Sequence, residues 1–512
     1  MALNTFQHYA DLLGEAGIVA EYDACGASER EIGYLSFDSR DVRPGTLFIA
    51  KGVHFKPEYL TQAIENGAVA CVAERRLVEG FPCIIVSDMR RAMALLAREF
   101  YEDPASKLSL FGLTGTKGKS TTVFFLKYIF DRYAELTGGR PCGLSSTVDC
   151  FDGETHYYPD NTTPEAPDLW RLLSRGLENG LDRFAVECSS QSIKYERVYG
   201  LRFEAAAITN VGYDHISPSE HPDFADYLAS KLRIYSMARV ACVNLDDDHA
   251  PEMLEAARRC ERIVTFGESE DAEVRLSDAR REGGVSRFAI TAGGATQEFS
   301  MTMPGLFNVK NALCAAALAY VAGIPLGVCA EALRDARVSG RMDRHVSRDG
   351  RVTVIVDFAH NELSFRTLFE SVAADYPGYG VVTVTGWYGG KAENRRREVG
   401  LLCGNNSDLT VICEKDSGDE PFQKIASEAA AWITSAGGRY AIIESRFEAL
   451  KYAFGVDFGD RPKLILLCGL GDERKIKRGG IFVPTASDTD NLKVILGEYD
   501  RLHTEGGNTN GN

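Results

Sequence analysis

No C-x-x-C pair occurs in this sequence of 512 residues, although it contains 13 cysteines. A zinc ribbon or a redox dithiol is therefore not predicted. Scattered cysteines without a pairing pattern are typical of a reducing compartment. Several stand in apolar contexts, where a free thiol behaves as a small buried hydrophobic group: Cys71, Cys83, Cys242, Cys314 and Cys468.

Long apolar runs and excess positive charge are also missing. No run of 18 apolar residues occurs, and the N-terminus has no basic region followed by an apolar one. The 57 Lys and Arg residues are outnumbered by 73 Asp and Glu residues, for a net charge of −16. Such a chain is not expected to bind nucleic acid or an anionic membrane, although a local cationic pocket can still bind an anionic small molecule. We expect a cytoplasmic protein with neither partner.

The length predicts more than one hydrophobic core, and we expect three domains. A break at Asp103-Pro104 marks the first boundary, and the predicted domains cover residues 1–106, 107–340 and 341–512. The fold class is α/β: a small α/β domain, a central doubly wound parallel sheet with a phosphate-binding loop, and a C-terminal Rossmann-like α/β domain.

Hydrophobic patterns predict the main elements of each domain. The first domain has predicted strands at 34–40, 46–50 and 68–73 and helices at 58–66 and 91–101. The second has predicted strands at 184–188, 205–209, 240–243 and 263–266, a polar meander at 267–302 and an alanine-rich helix at 308–322. The third has predicted strands at 352–356, 381–385, 409–413 and 464–468, and the tail 504–512 is expected to be disordered.

A glycine-rich loop at 114–118 follows an apolar strand and precedes an apolar helix. In this order the three segments form a phosphate cradle, because Gly115 and Gly118 let backbone N–H groups turn inward and the helix contributes its positive N-terminal end. Lys119 can neutralise phosphate oxygens, and the Ser120 hydroxyl can bind Mg²⁺. Leu113 stands where the common G-x-x-x-x-G-K-[ST] motif has its first glycine. We nevertheless predict a nucleoside triphosphate site.

Three further polar residues follow predicted buried strands or stand on a helix nearby. Glu187 interrupts an apolar strand, which indicates a Mg²⁺ ligand, with a structural ion pair as the alternative, and Ser189 and Ser190 would then face the substrate. His215 is either a hydrogen-bonded loop histidine or, with Glu187 and Ser120, part of a site for two metal ions. Lys231 is either a surface lysine or a lysine that CO₂ converts to a carbamate. Only the carbamate could take part in metal binding, because an ammonium group cannot bind a cation.

Ordered motifs along essentially the whole chain resemble those of the Mur ligases, most closely the MurE branch that adds L-lysine. The motifs are Asp38-Ser-Arg40, Phe48, Lys51-Gly-x-x-Phe-Lys56, Gly115-Thr-Lys-Gly-Lys-Ser-Thr121, Asn161-Thr-Thr-Pro164, Glu187-Cys-Ser-Ser-Gln191, Thr209-Asn-x-x-x-Asp-His215, Lys231, Asn308-x-x-Asn311, Gly340-Arg-Met342 and Asp357-Phe-Ala-His360. The resemblance implies an ATP-dependent ligase of peptidoglycan synthesis. It would join an amino acid to the D-glutamate of UDP-N-acetylmuramoyl-L-alanyl-D-glutamate through an acyl phosphate.

The resemblance also implies a role for each matching residue. The nucleotide-binding set comprises Gly115, Thr116, Lys117, Gly118, Lys119, Ser120, Thr121, Asn308, Asn311, Arg341 and Asp357. The set for the UDP-sugar dipeptide comprises Ser39, Arg40, Lys51, Gly52, Thr162, Thr163, Ser189, Gln191 and Arg197. The metal set for two Mg²⁺ ions comprises Ser120, Glu187, His215 and carbamylated Lys231. The catalytic set comprises Lys119, Glu187, His215, Lys231 and Arg341. A monomer is implied, with hinges near residues 106 and 340 that let the C-terminal domain close.

The pocket for the incoming amino acid departs from the family pattern at Glu414-Lys-Asp-Ser417. Ser417 stands where the family reads the far end of the amino acid, and the absence of arginine there speaks against diaminopimelate. Lys415 either repels a cationic side chain or points to solvent. Asp472 and Glu473 can hold an amine, so L-lysine is the first expected substrate and ornithine the second. A Mur-type ligase with another acceptor and a non-catalytic ATP-binding regulator are the remaining alternatives.

Overall fold

The computed structural model describes residues 4–52, 55–159, 161–217, 220–391, 393–479 and 481–505. The chain forms two compact units. The first contains residues 1–276, 291–295 and 311–329, and the second contains residues 277–290, 296–310 and 330–512. Of the tail predicted to be disordered, residues 504 and 505 continue the last helix, and residues 506–512 lie outside the described residues.

The N-terminal part of the first unit is a five-stranded sheet with helices. Its elements are α1 (Phe6–Glu15), β1 (Val19–Asp23), β2 (Tyr34–Ser36), β3 (Thr46–Ala50), α2 (Pro57–Glu65), β4 (Ala68–Ala73), β5 (Cys83–Val86) and α3 (Met89–Phe100). The strand order is β1-β5-β4-β3-β2, and only β1 is antiparallel to its neighbour. Leu47 and Ile49 pack on the same side as α1 and α3, whereas Phe48 and Ala50 pack with α2, as the alternation of a strand requires.

The predicted strand 34–40 is wrong beyond Ser36, because Asp38 folds the chain into a turn. The Asp38 side chain accepts a hydrogen bond from the backbone N–H of Arg40 at 2.9 Å, and its carbonyl accepts one from the N–H of Asp41 at 3.0 Å. An aspartate that bonds the backbone two residues on is a turn signal that competes with strand pairing.

The remainder of the first unit is built on a mostly parallel sheet. Its strands are β6 (Ser109–Thr114), β7 (Gly143–Ser145), β8 (Cys150–Phe151), β9 (His156–Tyr157), β10 (Arg183–Glu187), β11 (Phe203–Ile208), β12 (Ala238–Asn244) and β13 (Arg262–Gly267), in the order β13-β12-β11-β6-β10-β7-β8-β9. Its helices are α4 (Lys119–Thr137), α5 (Ala166–Glu178), α6 (Ser190–Lys194), α7 (Phe224–Leu232) and α8 (Ala250–Ala257). Leu110, Phe111 and Leu113 are buried on both faces of the central strand β6, as expected for a parallel sheet covered by helices.

Three strands and two helices follow β13 in the chain. They are β14 (Val274–Glu282), β15 (Val285–Ala292), β16 (Ala295–Met301), α9 (Phe307–Val321) and α10 (Leu326–Leu333). The strands agree with the predicted polar meander, and α9 agrees with the predicted alanine-rich helix.

The C-terminal part of the second unit is another α/β sheet. Its strands are β17 (Asp343–Val346), β18 (Val352–Asp357), β19 (Gly380–Thr385), β20 (Leu409–Ile412), β21 (Tyr440–Ile442) and β22 (Lys463–Cys468), followed by the hairpin β23 (Lys475–Arg478) and β24 (Ile481–Pro484). Its helices are α11 (Glu362–Asp375), α12 (Asn394–Asn406), α13 (Phe422–Ser435), α14 (Arg446–Gly455) and α15 (Asp488–Glu505). The order β17-β18-β22-β19-β20-β21 places four parallel strand ends side by side, those of β18, β22, β19 and β20.

The observed architecture confirms the predicted α/β class. Within the described parts of the chain, no helix has the length and apolar character needed to cross a membrane. The predicted domain limits at residues 106 and 340 stay predictions.

Candidate active site

The glycine loop between β6 and α4 is shaped by two positions that exclude a side chain. Gly115 and Gly118 have φ angles of 152° and 83°. A Cβ on Gly115 would lie 1.9 Å from Thr209 Oγ1, and one on Gly118 would lie 2.1 Å from Asn311 Oδ1. The close approach of Asn311 to this loop places one of the two predicted adenine-side asparagines beside it. Only glycine fits at either position.

The first residue of α4, Lys119, turns its side chain back over the loop. Its Nζ donates to the carbonyl oxygens of Gly115 at 3.0 Å and Thr116 at 3.3 Å. The backbone N–H of Lys117 donates to Asn210 Oδ1 at 2.9 Å, which ties the loop to the segment after β11. A loop fixed in this way, with an ammonium group at its rim and a helix N-terminus behind it, fits the phosphates of a nucleotide.

Glu187 at the carboxyl end of β10 is only 1% exposed and is surrounded by neutral donors. Its Oε1 accepts from Ser120 Oγ at 3.0 Å, and its Oε2 accepts from Ser146 Oγ at 2.9 Å and from the N–H of Thr147 at 3.0 Å. Among the described residues no cationic side chain pairs with it, so the alternative of a structural ion pair is wrong. A carboxylate beside a hydroxyl is the oxygen donor set that Mg²⁺ prefers, and the pair fits that ion.

Lys231 on α7 is buried, with 1% of its surface exposed, so the alternative of a surface lysine is wrong. Its Nζ donates to the Gly115 carbonyl at 2.7 Å and lies 4.5 Å from the centre of the Tyr227 ring. Burial, and then the charge of Lys119, hold the pKa of Lys231 well below its ordinary value. A lowered pKa favours the neutral amine, which is the form that reacts with CO₂, so this environment fits the carbamate.

His215 has a left-handed backbone, with φ of 59°, and its Nδ1 lies 3.1 Å from Glu220 Oε1. This pairing is the arrangement expected of a loop histidine with a satisfied ring. Across the described ranges no group of three or more His, Cys, Asp or Glu side chains is arranged to hold a metal ion. The predicted ligand set of Ser120, Glu187, His215 and Lys231 therefore stays a prediction.

A cavity of about 130 Å³ adjoins these groups. It is lined by Lys119, Asn161, Thr162, Ser189, Ser190, Gln191, Arg197, His215, Tyr227 and Lys231. Seven of these residues belong to the predicted nucleotide, metal and dipeptide sets, which come together here although they are far apart in sequence. The cationic side chains in this lining favour an anionic ligand.

One residue of this region was missed by the sequence reasoning. Glu165, at the start of α5, lies 3.0 Å from Lys51 Nζ and 3.0 Å from Arg197 Nη2 through the same oxygen, Oε1. It follows the motif that ends at Pro164, but nothing in its local pattern points to the two distant cations. The carboxylate therefore joins one predicted UDP-binding residue to one predicted dipeptide-binding residue.

The other predicted substrate residues of the first unit are mostly held by local contacts. Thr163 Oγ1 donates to the Glu187 carbonyl at 2.7 Å and accepts from the N–H of Ser189 at 3.0 Å. Ser39 Oγ donates to Gln62 Oε1 at 2.7 Å, and Arg40 pairs with Asp38. Gly52 has a φ of 105° at the end of the described segment 4–52.

Three predicted nucleotide residues belong to the second unit. Asp357 accepts from the N–H groups of Met342 and Ala359, each at 2.8 Å. The Arg341 guanidinium lies 4.5 Å from the centre of the Phe358 ring. Asn308 is buried and donates to the Pro304 carbonyl at 2.7 Å.

The predicted amino-acid pocket lies at the carboxyl ends of the C-terminal sheet. Ser417 is buried and donates to Glu414 Oε1 at 3.1 Å, and Glu414 pairs with Arg478. Lys415 is 1% exposed, so the alternative that it points to solvent is wrong. Burial raises the pKa of the Asp472 and Glu473 carboxyl groups above their ordinary values.

Comparison with known proteins decides the family. Residues 113–319 match the Mur ligase middle domain, and residues 340–471 match the family model described as "Mur ligase, glutamate ligase domain". A UDP-N-acetylmuramoyl-L-alanyl-D-glutamate--L-lysine ligase of Enterococcus faecalis is 34% identical over 466 residues, which are 90% of this chain and 91% of that relative. The chain belongs to the Mur ligase family. This confirms the resemblance found in its motifs, including its lysine-type branch.

Solved structures agree with this assignment at the level of fold. A UDP-N-acetylmuramoyl-L-alanyl-D-glutamate--2,6-diaminopimelate ligase superposes with a TM-score of 0.62 at 21% identity, over 97% of this chain and 99% of that one. MurF ligase from Thermotoga maritima in complex with ADP superposes with a TM-score of 0.60 at 18% identity, over 92% of this chain and 98% of that one. The Mur ligase architecture is thus shared over nearly the full length of the chain.

Proposed function

We propose that this Mur ligase is an ATP-dependent enzyme that adds L-lysine to UDP-N-acetylmuramoyl-L-alanyl-D-glutamate in peptidoglycan synthesis. The observation that carries the proposal is the cavity beside the glycine loop, where Lys119 and Lys231 meet Thr162, Ser189 and Arg197. A protein that only binds ATP would need none of the predicted dipeptide-binding residues Thr162, Ser189 and Arg197. The printed name of the Enterococcus relative supports the same reaction.

ATP would bind through the backbone N–H groups of residues 115–121 and the Lys119 ammonium, which offset the phosphate charge. Asn308 and Asn311 would contact the adenine side, Asp357 the ribose and Arg341 the phosphates. Ser120, Glu187, His215 and carbamylated Lys231 would hold two Mg²⁺ ions. When bound, these ions offset the negative charge of the phosphoryl oxygens.

The acceptor would bind in two parts. Ser39, Arg40, Lys51 and Gly52 would hold the uridine diphosphate. Thr162, Thr163, Ser189, Gln191 and Arg197 would hold the muramoyl dipeptide. The Arg197 guanidinium can grip a carboxylate with two parallel hydrogen bonds, which orients the D-glutamate.

The first step of the proposed reaction brings two anions together, the D-glutamate carboxylate and the γ-phosphate of ATP. An oxygen of the D-glutamate carboxylate attacks the γ-phosphorus, the bond to the β-phosphate oxygen breaks, and ADP leaves. The incoming amine then attacks the carbonyl carbon of the acyl phosphate, phosphate leaves, and the nitrogen loses a proton to give the amide. Lys119 and Arg341 reduce the repulsion between the two anions in the first step. Water must be excluded because it hydrolyses the acyl phosphate, which is why we propose closure at hinges near 106 and 340.

Fewer residues bear on which amino acid the enzyme adds. Asp472 and Glu473 offer carboxylates for an amine, and position 417 lacks the arginine that would favour the second carboxylate of diaminopimelate. L-lysine is therefore the first proposed amino-acid substrate and L-ornithine the second. We also propose that the enzyme acts in the cytoplasm, since the nucleotide substrates belong to that compartment. A monomer is proposed on the resemblance to the family alone.

A panel of amino acids tests this function. Purified protein is mixed with ATP, Mg²⁺, the UDP-muramoyl dipeptide and one amino acid, and both phosphate release and product mass are measured. We expect an amide product with L-lysine and a smaller yield with L-ornithine. Lys119→Ala should lower the rate at least ~100-fold, whereas Lys493→Ala, which removes an exposed lysine on α15, should not. Turnover with diaminopimelate alone would contradict the lysine assignment, and ATP consumption without any amide would contradict the ligase.

A further inference from the structure

A second cavity, of about 430 Å³, lies at the amino ends of β18 and β22 in the C-terminal sheet. The first residues of these strands, Val352 and Lys463, are paired in register and both line it. The predicted nucleotide residue Asp357 stands at the other end of β18, about 17 Å away by the rise of a strand. The volume is that of a small-molecule site. Among the described residues that line this cavity, none belongs to the predicted site sets.

Part of the lining of the second cavity is apolar. Val352, Phe454 and Ile495 line it and belong to the buried core of the C-terminal sheet. The Tyr499 ring lies 5.5 Å from the Phe454 ring and 3.9 Å from the His503 ring, between ring centres, and both Tyr499 and His503 also line the cavity. Such a surface binds the apolar body of a ligand by removing it from water.

A buried ammonium group adjoins the apolar lining. Lys463 is 9% exposed, and its Nζ donates one hydrogen bond to the Phe454 carbonyl. An ammonium group has three N–H donors, and in the described parts of the chain no carboxylate forms an ion pair with this one. Burial lowers the pKa of Lys463, and the charge of Asp457 opposes that effect. A buried cation without a close counter-ion is costly, so a bound anion would stabilise it.

Positive charge predominates around the second cavity, although the whole chain has a net charge of −16. Arg461 already pairs with Asp408 at 3.1 Å, whereas Arg351 and Lys451 form no ion pair with any residue that the structure describes. This local excess of cations favours an anionic ligand. The charged lining has four basic and two acidic side chains: Arg351, Lys451, Arg461, Lys463, Asp457 and Glu498.

We propose that the second cavity binds a small molecule in which an apolar body carries one anionic group, a carboxylate or a phosphate. The apolar body lies against Val352, Phe454 and Ile495. The anionic oxygens accept hydrogen bonds from the ammonium groups of Lys463 and Lys451. The site is separate from the proposed ligase site, so the assignment does not depend on the ligase function.

Two fluorescent probes test the site in the full-length protein. Anilinonaphthalene sulfonate has an aromatic body with one anionic group, and phenylnaphthylamine has the same rings without the charge. We expect the wild-type protein to bind the sulfonate saturably and ~10- to 100-fold more tightly than the uncharged amine, the range of charge-assisted hydrogen bonds. Saturating ATP should leave the sulfonate bound, since the predicted nucleotide residue Asp357 lies at the opposite end of β18.

Two substitutions remove the cations and keep unbranched side chains, Lys463→Met and Lys451→Met. The double variant should bind the sulfonate ~10- to 100-fold more weakly and phenylnaphthylamine within ~3-fold of the wild-type protein. The single variant Lys451→Met, which alters only an exposed position on α14, should show part of the loss. The control Lys493→Met removes an exposed lysine of α15 that does not line the cavity, and it should change neither probe.

Competition with the bound sulfonate identifies the anionic group of the ligand. Octanoate offers a carboxylate and phenyl phosphate offers a phosphate, each on an apolar body, and the one that displaces the probe at the lower concentration names the group. Inorganic phosphate should displace it at least ~10-fold less well than phenyl phosphate, because it has no apolar body to bury.

Equal binding of the two probes by the wild-type protein would overturn the assignment, and that measurement needs no variant. Displacement of the sulfonate by ATP, or unchanged binding in the double variant, would place the probe elsewhere and overturn it as well. So would failure of both octanoate and phenyl phosphate to displace the sulfonate. Inorganic phosphate that competes as well as phenyl phosphate would refute the role of the apolar lining.

Discussion

Lys119 and Lys231 donate hydrogen bonds to the same carbonyl oxygen, that of Gly115, at 3.0 and 2.7 Å. Two ammonium groups that share one acceptor repel each other, and the buried one is the group that gives up its proton more easily. The pKa of Lys231 is lowered first by burial and next by Lys119. The glycine loop and the burial of Lys231 thus favour the neutral amine of this residue beside the phosphate site.

The first prediction concerns Lys231. Lys231→Ala should lower the ligase rate at least ~100-fold, because the position loses the group proposed to become a carbamate near the phosphates. Short carboxylic acids such as formate or acetate should restore part of the rate by placing a carboxylate in the space. Phosphate release with increasing acid measures the rescue.

A matched control for Lys231 is Lys127 on α4, which is also buried but pairs with Asp131 at 2.7 Å. Lys127→Ala should reduce stability without any rescue by acids. Equal rescue of both variants would argue against a carboxylate at position 231.

The second prediction concerns Glu187. In Glu187→Gln the amide NH₂ group must face Ser120 or else Ser146 and Thr147, all of which donate to the carboxylate. We expect at least a ~100-fold loss of rate and a higher Mg²⁺ concentration for half-maximal activity. A magnesium titration of phosphate release measures both. Glu255→Gln, an exposed glutamate on α8, is the control, and an unchanged Mg²⁺ requirement in the Glu187 variant would contradict its role.

The third prediction concerns Glu165, whose carboxylate pairs with Lys51 and Arg197. Glu165→Gln should lower the free energy of unfolding by ~1–3 kcal/mol, because both cations lose their charged partner. The UDP-muramoyl dipeptide brings anionic groups to the same cations, so it should raise Tm more in the variant than in the wild-type protein. Thermal unfolding with and without the dipeptide measures the difference.

Asp168→Asn provides the comparison for Glu165, since Asp168 pairs with Arg171 on the same helix, at 2.6 Å. Its ligand-induced rise in Tm should equal that of the wild-type protein. A smaller rise in the Glu165 variant would show that Glu165 supports ligand binding and does not compete with it.

The contrast between Glu187 and Glu165 shows what the sequence could and could not predict. A carboxylate within an apolar strand is unusual locally, and the position of that strand next to the glycine loop follows from topology. Glu165 starts a helix, where an acidic residue is ordinary, and its partners lie 114 and 32 positions away in the chain, at Lys51 and Arg197. Its role depends on tertiary contacts that no local pattern encodes.

The same limit explains the errors at positions 38 and 415. The run from Tyr34 to Arg40 contains strand-forming residues, but the Asp38 side chain bonds the backbone and ends the strand. Lys415 stands in a polar segment, where exposure is the ordinary expectation, yet neighbouring strand ends enclose it with Phe358 and Tyr388. Burial of a charged side chain depends on the whole sheet edge rather than on its sequence neighbours.

The fourth prediction is a pH dependence of stability that Lys415 causes. The pKa of this lysine is about 7 in the folded protein, against an ordinary 10.5, so between these pH values the unfolded chain binds more protons than the folded one. Stability of the wild-type protein should therefore rise with pH across this window, by about 1 kcal/mol per pH unit relative to Lys415→Met. The variant should be the more stable protein at pH 7, and its advantage should shrink toward pH 10. Urea unfolding at several pH values measures this difference, and an advantage that stays constant with pH would show that Lys415 keeps its proton in the fold.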